Sequence, residues 1–322
     1  MKNRFLLLFL TIFIFFGFSF VYYFWSISPK SPNNKSTVIF VVKPGEGLNS
    51  ITNRLNDEKL IKSRFGFYLK VKLMKIENEI QAGSYKLSPS KSVEELAKSL
   101  TKGTDDIWVT VIEGLRKEEI ADVFFTKVGI DPSIFLENSQ EGIMFPDTYL
   151  IPKLYQGDQI ASLMKSTFEK KYTTLSADEE PLKLTKNQII TLASLIEREA
   201  NKYEDMLMIA SIMKKRLQND WALELDASVQ YAMGYSKNEK SWWRKNLTRE
   251  NLSFPSLYNT YLNKGLPPGP ICNPGLNALK AAINASSESP YWFYITGLDG
   301  KMYYGKTLEE HNSNISKYLK KN

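Results

Sequence analysis

The polarity pattern along the chain changes character three times. Phe5 to Trp25, FLLLFLTIFIFFGFSFVYYFW, is apolar throughout and carries no charge. It is about 21 residues long, enough for a helix to cross a bilayer core. Lys2 and Arg4 precede it, and Tyr22, Tyr23 and Trp25 end it, where an interfacial aromatic belt belongs. Ser26-Ile27-Ser28 loosely fits a signal-peptide cleavage site, but signal cores are about 7–15 residues long and this run is longer. The pattern predicts an uncleaved single-pass anchor with its N-terminus inside the cell. SPKSPNNKS then reads as a polar linker.

Short periodic segments follow. TVIFVVKPGEG is a β-branched run closed by Pro44-Gly45, and LNSITNRLNDEKL repeats its apolar positions at helical spacing. SRFGFYLKVKLM is a second amphipathic helix with Ser63 as its cap, AGSYKLSPS is a strand and turn, and VEELAKSLTKG is a helix stopped by Gly103. This predicts a compact βααβ module. Beyond it, DIWVTVIEGL alternates like a strand, DPSIFLENS starts a capped helix, and EGIMFPDTYLIPK reads as loop. YWFYITGLDGKMYYG is two aromatic strands around an Asp299-Gly300 turn. The expected fold class is α+β: the transmembrane helix, a small βααβ module and a larger mixed α/β domain.

The helical run NQIITLASLIEREANKYED carries two carboxylates, Glu197 and Glu199. At 3.6 residues per turn, Ile189, Leu192, Ala193, Ile196 and Ala200 form one face. The two glutamates fall on its opposite edges, so burial alone does not choose between them. On a continuous helix Glu199 has Lys202 three residues on, while Glu197 has only Ala193, Ser194, Ala200 and Asn201 at such spacings. A carboxylate without a cation is the easier one to keep protonated, as a general acid requires. Periodicity alone leaves both as solvated helix-edge charges.

Composition narrows the chemistry. The chain has 322 residues, a net charge of +7, one cysteine (Cys272) and one histidine (His311). A disulfide within the chain and a cysteine-based zinc site are excluded. A Ser-His-Asp centre would depend on His311, whose surroundings EEHNSN hold no nucleophile motif. Carboxylates remain as the acid–base groups. The basic excess suits polyanionic surroundings, though Lys and Asn are simply abundant. No nucleotide loop, zinc pattern or repeat is present, and neither cofactor, metal nor nucleic-acid partner is expected.

The ordered motifs EGIMFPDTYLIP, LASLIEREA, LELDASVQYAMG, YNTY, GLPPGPICNPG and LEEHNSNI, together with the anchor, resemble the YceG-like family of endolytic murein transglycosylases. The likeness runs from about residue 38 to the end. The small module, by its element order, resembles a LysM-like module. The resemblance implies residues 1–4 in the cytoplasm, an anchor over 5–25, a linker over 26–37, a LysM-like module over 38–103 and a catalytic domain over 104–322. It implies a bacterial inner or cytoplasmic membrane protein whose catalytic domain faces the wall, with peptidoglycan strands as substrate and wall synthases as neighbours. The glutamate at the fifth position of the ASLIE motif, Glu197, becomes the expected catalytic residue. Asp226, Gln230, Tyr258, Asn259 and Tyr261 become the expected substrate-binding residues, and His311 a structural one. Two positions depart from the pattern: Asp226 precedes Ala227 where proline is common, and Cys272 stands before Asn273-Pro274-Gly275.

The implied reaction cuts the β-1,4 bond between N-acetylmuramic acid and N-acetylglucosamine without water. One carboxylic acid protonates the leaving oxygen, and the sugar's own 6-hydroxyl closes on the anomeric carbon to give a 1,6-anhydro end. The tethered nucleophile replaces the second carboxylate of ordinary glycosidases. Two alternatives stand beside this: a two-carboxylate hydrolase using Asp226, and a non-catalytic wall-binding scaffold.

Overall fold

The computed structural model describes residues 2–103, 106–152, 155–175, 183–245 and 247–319, with side chains described from residue 13 onward. The chain forms two compact units, residues 1–108 with 150–154, and residues 109–149 with 155–322. Helix α1 (Lys2–Ile27) opens the first unit. Its side chains from Phe13 to Trp25 are largely exposed. Residues 5–12 of the expected anchor lie outside the described side chains, and among the described residues no helix is long and apolar enough to cross a membrane.

The rest of this unit follows the predicted order: β1 (Val38–Val42), α2 (Leu48–Asp57), α3 (Arg64–Met74), β2 (Gly83–Leu87) and α4 (Val93–Thr101). β1 and β2 pair antiparallel, with Phe40 opposite Tyr85 and Val42 opposite Gly83. Alternation sends Phe40, Val42, Tyr85 and Leu87 to one face, where Leu55, Phe67, Val71, Leu96 and Leu100 meet them. Each fully buried side chain of this size contributes about 1.5–3 kcal/mol. Ser63 caps α3 through a bond from Gly66 N–H, and Ser92 with Glu95 forms a capping box on α4. Residues 26–37, read as a polar linker, make contacts with the rest of this unit. Helix α1 continues to Ile27, Ser26 is fully buried, and Ser31 N–H donates to Pro89 O.

The unit boundary falls within β3 (Ile107–Thr110) and β4 (Thr148–Ile151), which form a two-stranded sheet. β4 lies inside the stretch read as loop; the prolines at 146 and 152 bracket it rather than forbid it. The second unit holds α5 (Lys117–Val128), α6 (Pro132–Asn138), α7 (Gly157–Tyr172), α8 (Lys186–Glu199), α9 (Tyr203–Gln218), α10 (Asp226–Met233), α11 (Leu276–Asn284), β5 (Phe293–Thr296), β6 (Met302–Gly305) and α12 (Leu308–Tyr318). β5 and β6 form the predicted hairpin, with Tyr294 opposite Tyr304 and Gly300 at φ 75° in the turn. Helix α8 is the spine. Every residue from Ile189 to Ile196 is buried, and α9, α10 and α11 pack on it.

Candidate active site

Helix α8 starts at a capping box, in which Thr185 accepts from Gln188 N–H and the Gln188 side chain answers the cap's own N–H. It stops at Glu199. Ala200 is extended, at φ −146° and ψ 156°, and Lys202 is already the N-cap of α9. The i,i+3 relation expected between Glu199 and Lys202 therefore does not exist. The partner of Glu199 comes instead from β5: the Tyr294 hydroxyl donates to its Oε2 at 3.2 Å.

Glu199 lines a cavity of about 520 Å³, together with Asp226, Tyr261, Tyr294, Arg216 and His311. Burial pushes its carboxyl up to about 7. The Asp226 charge adds to this, against the Tyr294 hydrogen bond and the charges of Arg198 and Arg216. Asp226 begins α10, and the Tyr261 hydroxyl donates to its Oδ1 at 2.7 Å. Burial pushes both Tyr261 and Tyr294 upward, so both phenols stay protonated donors. Arg216 is a fixed cation in the wall, donating to Leu223 O at 2.7 Å and to Trp292 O at 2.7 Å. His311 stacks on Phe293 at 5.0 Å between ring centroids. Burial and Arg216 hold it below the ordinary histidine range, hence neutral near pH 7.

Glu197 faces the other edge of α8 and does not line this cavity. The segment ICNPG is laced along α8. Ile271 N–H donates to Ser194 Oγ at 3.0 Å, the Cys272 thiol to Ser194 O at 3.2 Å, and Gly275 N–H to Glu197 Oε2 at 2.9 Å. Burial raises Glu197 to about 7 as well, with Glu113 adding to it and the Gly275 bond opposing. Any Cβ at Gly275 would overlap the Glu113 carboxylate. Glu113 thus stands at the same helix entrance, a residue the alternation of VTVIEG concealed inside a strand pattern. Arg198, between the two glutamates, lies over the Trp243 ring at 3.8 Å.

The expected binding residues divide. Asp226 and Tyr261 meet Glu199 in the cavity. Tyr258 packs against Tyr231 with ring centroids 4.9 Å apart and the rings tilted by 44°, on the side of Glu141. Gln230 shares α10 with Asp226 as expected, but its amide donates to Arg244 O at 2.6 Å and secures that loop. Asn259 is fully buried and structural: its amide donates to Leu252 O and Phe254 O, both at 2.9 Å, and its carbonyl accepts from Tyr261 N–H. It holds Tyr261 in place and has no face left for a sugar. Glu141, in the EGIMFPDTY motif, escaped the sequence reading. Burial raises it to about 8, and its Oε1 accepts from Asn273 at 2.7 Å and Lys117 N–H at 3.1 Å.

The sequence profile of the YceG-like family matches residues 40–317 of this chain. An endolytic murein transglycosylase of Streptococcus pneumoniae serotype 2 (strain D39) is 28% identical over 346 aligned positions, covering 94% of this chain and 62% of that protein. The chain thus spans under two thirds of the pneumococcal relative's length. An endolytic murein transglycosylase of Bacillus subtilis (strain 168) is also 28% identical, covering 94% of this chain and 91% of that one. The crystal structure of a YceG-like protein from Listeria monocytogenes superposes with a TM-score of 0.54 at 27% identity, covering 87% of this chain and 99% of that one.

Proposed function

The chain belongs to the YceG-like family, and from that premise we propose that it is a membrane-anchored endolytic lytic transglycosylase with Glu199 as its general acid. The observation that carries the choice is the meeting of Glu199, Asp226 and Tyr261 in one 520 Å³ cavity. The substrate is nascent peptidoglycan, cut between N-acetylmuramic acid and N-acetylglucosamine. The curated relatives' names as endolytic murein transglycosylases support the substrate class.

At neutral pH a carboxyl raised to about 7 is protonated in a large share of molecules. Protonated Glu199 donates to the glycosidic oxygen, and the bond from that oxygen to the anomeric carbon breaks. The resulting carboxylate takes the proton of the 6-hydroxyl, whose oxygen bonds to the same carbon. The proton lost is regained and no water is consumed. Asp226 assists from beside it: its negative charge favours the protonated acid, and the Tyr261 bond orients it. Neutral His311 and the phenols of Tyr261 and Tyr294 supply the polar contacts of the wall.

In this reading residues 5–25 span the inner or cytoplasmic membrane, 26–37 lead out of it, 38–103 form a LysM-like module and 104–322 the catalytic domain on the extracytoplasmic side. Cleavage there, beside wall synthases, would terminate strand elongation. A second reading, a hydrolase with Asp226 as the partner carboxylate, rests on Asp226 lining the same cavity.

Digestion of purified peptidoglycan tests both. Anhydro ends are expected; reducing ends, one water heavier, indicate the hydrolase, and no cleavage indicates a scaffold. Glu199→Gln should lose at least about 100-fold in rate, and Glu197→Gln should stay within about tenfold of wild type, ~1.4 kcal/mol. The reverse pattern would assign the acid to Glu197.

A further inference from the structure

The last turns of α1 are not separated from the small unit by a spacer. Ser26 is fully buried, and Gly66 of α3 lies where a Cβ would stand 3.0 Å from Ser26 O and closer still to its side chain. The Tyr22 hydroxyl meets Ser63 Oγ at 3.4 Å. Lys62 lies over the Trp25 ring at 5.4 Å and donates to Ser28 Oγ at 2.7 Å. The first turn of α3 is therefore held against the aromatic end of the apolar run.

From that point α3 presents two faces. Phe67 and Val71 enter the core, fully buried. Phe65 is 60% exposed and Leu73 63%. With half-buried Leu69 they stand at i, i+4 and i+8, one apolar stripe. Exposed Arg64, Lys72 and Lys75 share the helix with it, Arg64 paired with Asp57 at 2.9 Å and Lys72 paired with Glu77. An exposed apolar stripe beside basic residues is the pattern of a helix lying in the headgroup region, where the paired Arg64 and Lys72 can exchange their carboxylates for anionic lipid.

We propose that α3 lies on the bilayer surface, with the Phe65–Leu69–Leu73 stripe set among the lipid headgroups. The proposal rests on α1 spanning the membrane. It selects a bilayer over a second copy of the chain because the start of α3 is held against α1, whose apolar side chains from Phe13 to Trp25 are largely exposed. The small unit is then seated on the membrane rather than swinging from it.

The test uses the full chain in vesicles of phosphatidylglycerol and phosphatidylcholine. Cys272 is fully buried, so nitroxide labels go selectively to Phe65→Cys, Leu73→Cys, Phe16→Cys in α1 and Lys86→Cys on the exposed face of β2. Power saturation with oxygen and a water-soluble nickel chelate reads depth. Labels at 65 and 73 should show an oxygen-over-nickel ratio several-fold above that at 86, with 16 deeper still. Water-like values at 65 and 73 with 16 in hydrocarbon would overturn the seating and leave the anchor standing. Water-like values at 16 would remove the anchor and this proposal together. Dipolar broadening between labels at 65 on separate chains would assign the stripe to a second copy and overturn it too.

Discussion

If Glu199 is the acid, its two neighbours must move its titration in opposite directions. Tyr294 donates a hydrogen bond to the ionised carboxylate, so Tyr294→Phe makes ionisation harder and raises the pKa. A hydrogen bond to a charged group contributes about 1.5–3 kcal/mol. At 3.2 Å this bond is long, so the lower end applies, and ~1.4 kcal/mol per unit converts it to about one pKa unit. Asp226 acts by charge. Asp226→Asn removes a negative neighbour and lowers the pKa, by less than about one unit because this exposed side chain is screened by water. Activity needs the protonated form, so kcat/KM should fall as pH rises past about 7 in the wild type. The alkaline limb should move upward in Tyr294→Phe and downward in Asp226→Asn. The assay is release of anhydro-ended fragments from peptidoglycan across pH 5 to pH 9, roughly two units either side of the expected midpoint. Displacement of both limbs in one direction, or of neither, would refute the assignment of Glu199.

Other outcomes follow from the same geometry. Asn259→Ala removes the partner of Leu252 O, Phe254 O and Tyr261 N–H, all partly buried, and should destabilise by about 1–3 kcal/mol in urea unfolding. Tyr261→Phe should lower kcat/KM with little change in midpoint. Gly142 sits at φ 88° with Pro270 and Ile190 where its Cβ would be; Gly142→Ala should cost at least ~2 kcal/mol by overpacking and strain. Burial lifts Glu141 from 4.5 to about 8 in the folded chain. The protonated form is therefore the one that folding favours: its contribution is complete below about 4.5 and is lost as pH rises through about 8. Glu141→Gln keeps the acceptor for Asn273 and should flatten the decline in stability across that window, read as urea midpoints at each pH.

Much of the architecture was readable from alternation and punctuation. Pro44-Gly45, Ser63, Ser92 and Gly103 marked the ends of the small unit's elements, and Asp299-Gly300 marked the hairpin, because those residues act through local backbone geometry. The motif run also named residues that come together, since Asp226 and Tyr261 line one cavity with a glutamate of ASLIEREA. The spacing argument used to separate the two glutamates does not hold, because the helix was carried two or more residues too far. Its end at Glu199 is set by the extended Ala200 and the start of α9, which periodicity does not mark. Once the helix stops, Lys202 is no neighbour, and the partner of Glu199 is a tyrosine 95 positions away. Glu113 and Glu141 were missed for a different reason. Each sits beside a glycine in a stretch read as strand or loop, and each meets its partner only when ICNPG folds back against it.

The lacing of ICNPG onto α8 has a kinetic meaning. Its anchors, Ser194 Oγ, Ser194 O and Glu197, lie one helical turn apart on a spine whose preceding residues are wholly buried. The amides of Ile271 and Gly275 should therefore exchange slowly with solvent deuterium, a result that hydrogen exchange would check. A segment held this way does not serve as a lid. In the proposed reaction Glu199 then rides on a helix already braced along its length, and little reorganisation is left for the moment of proton transfer.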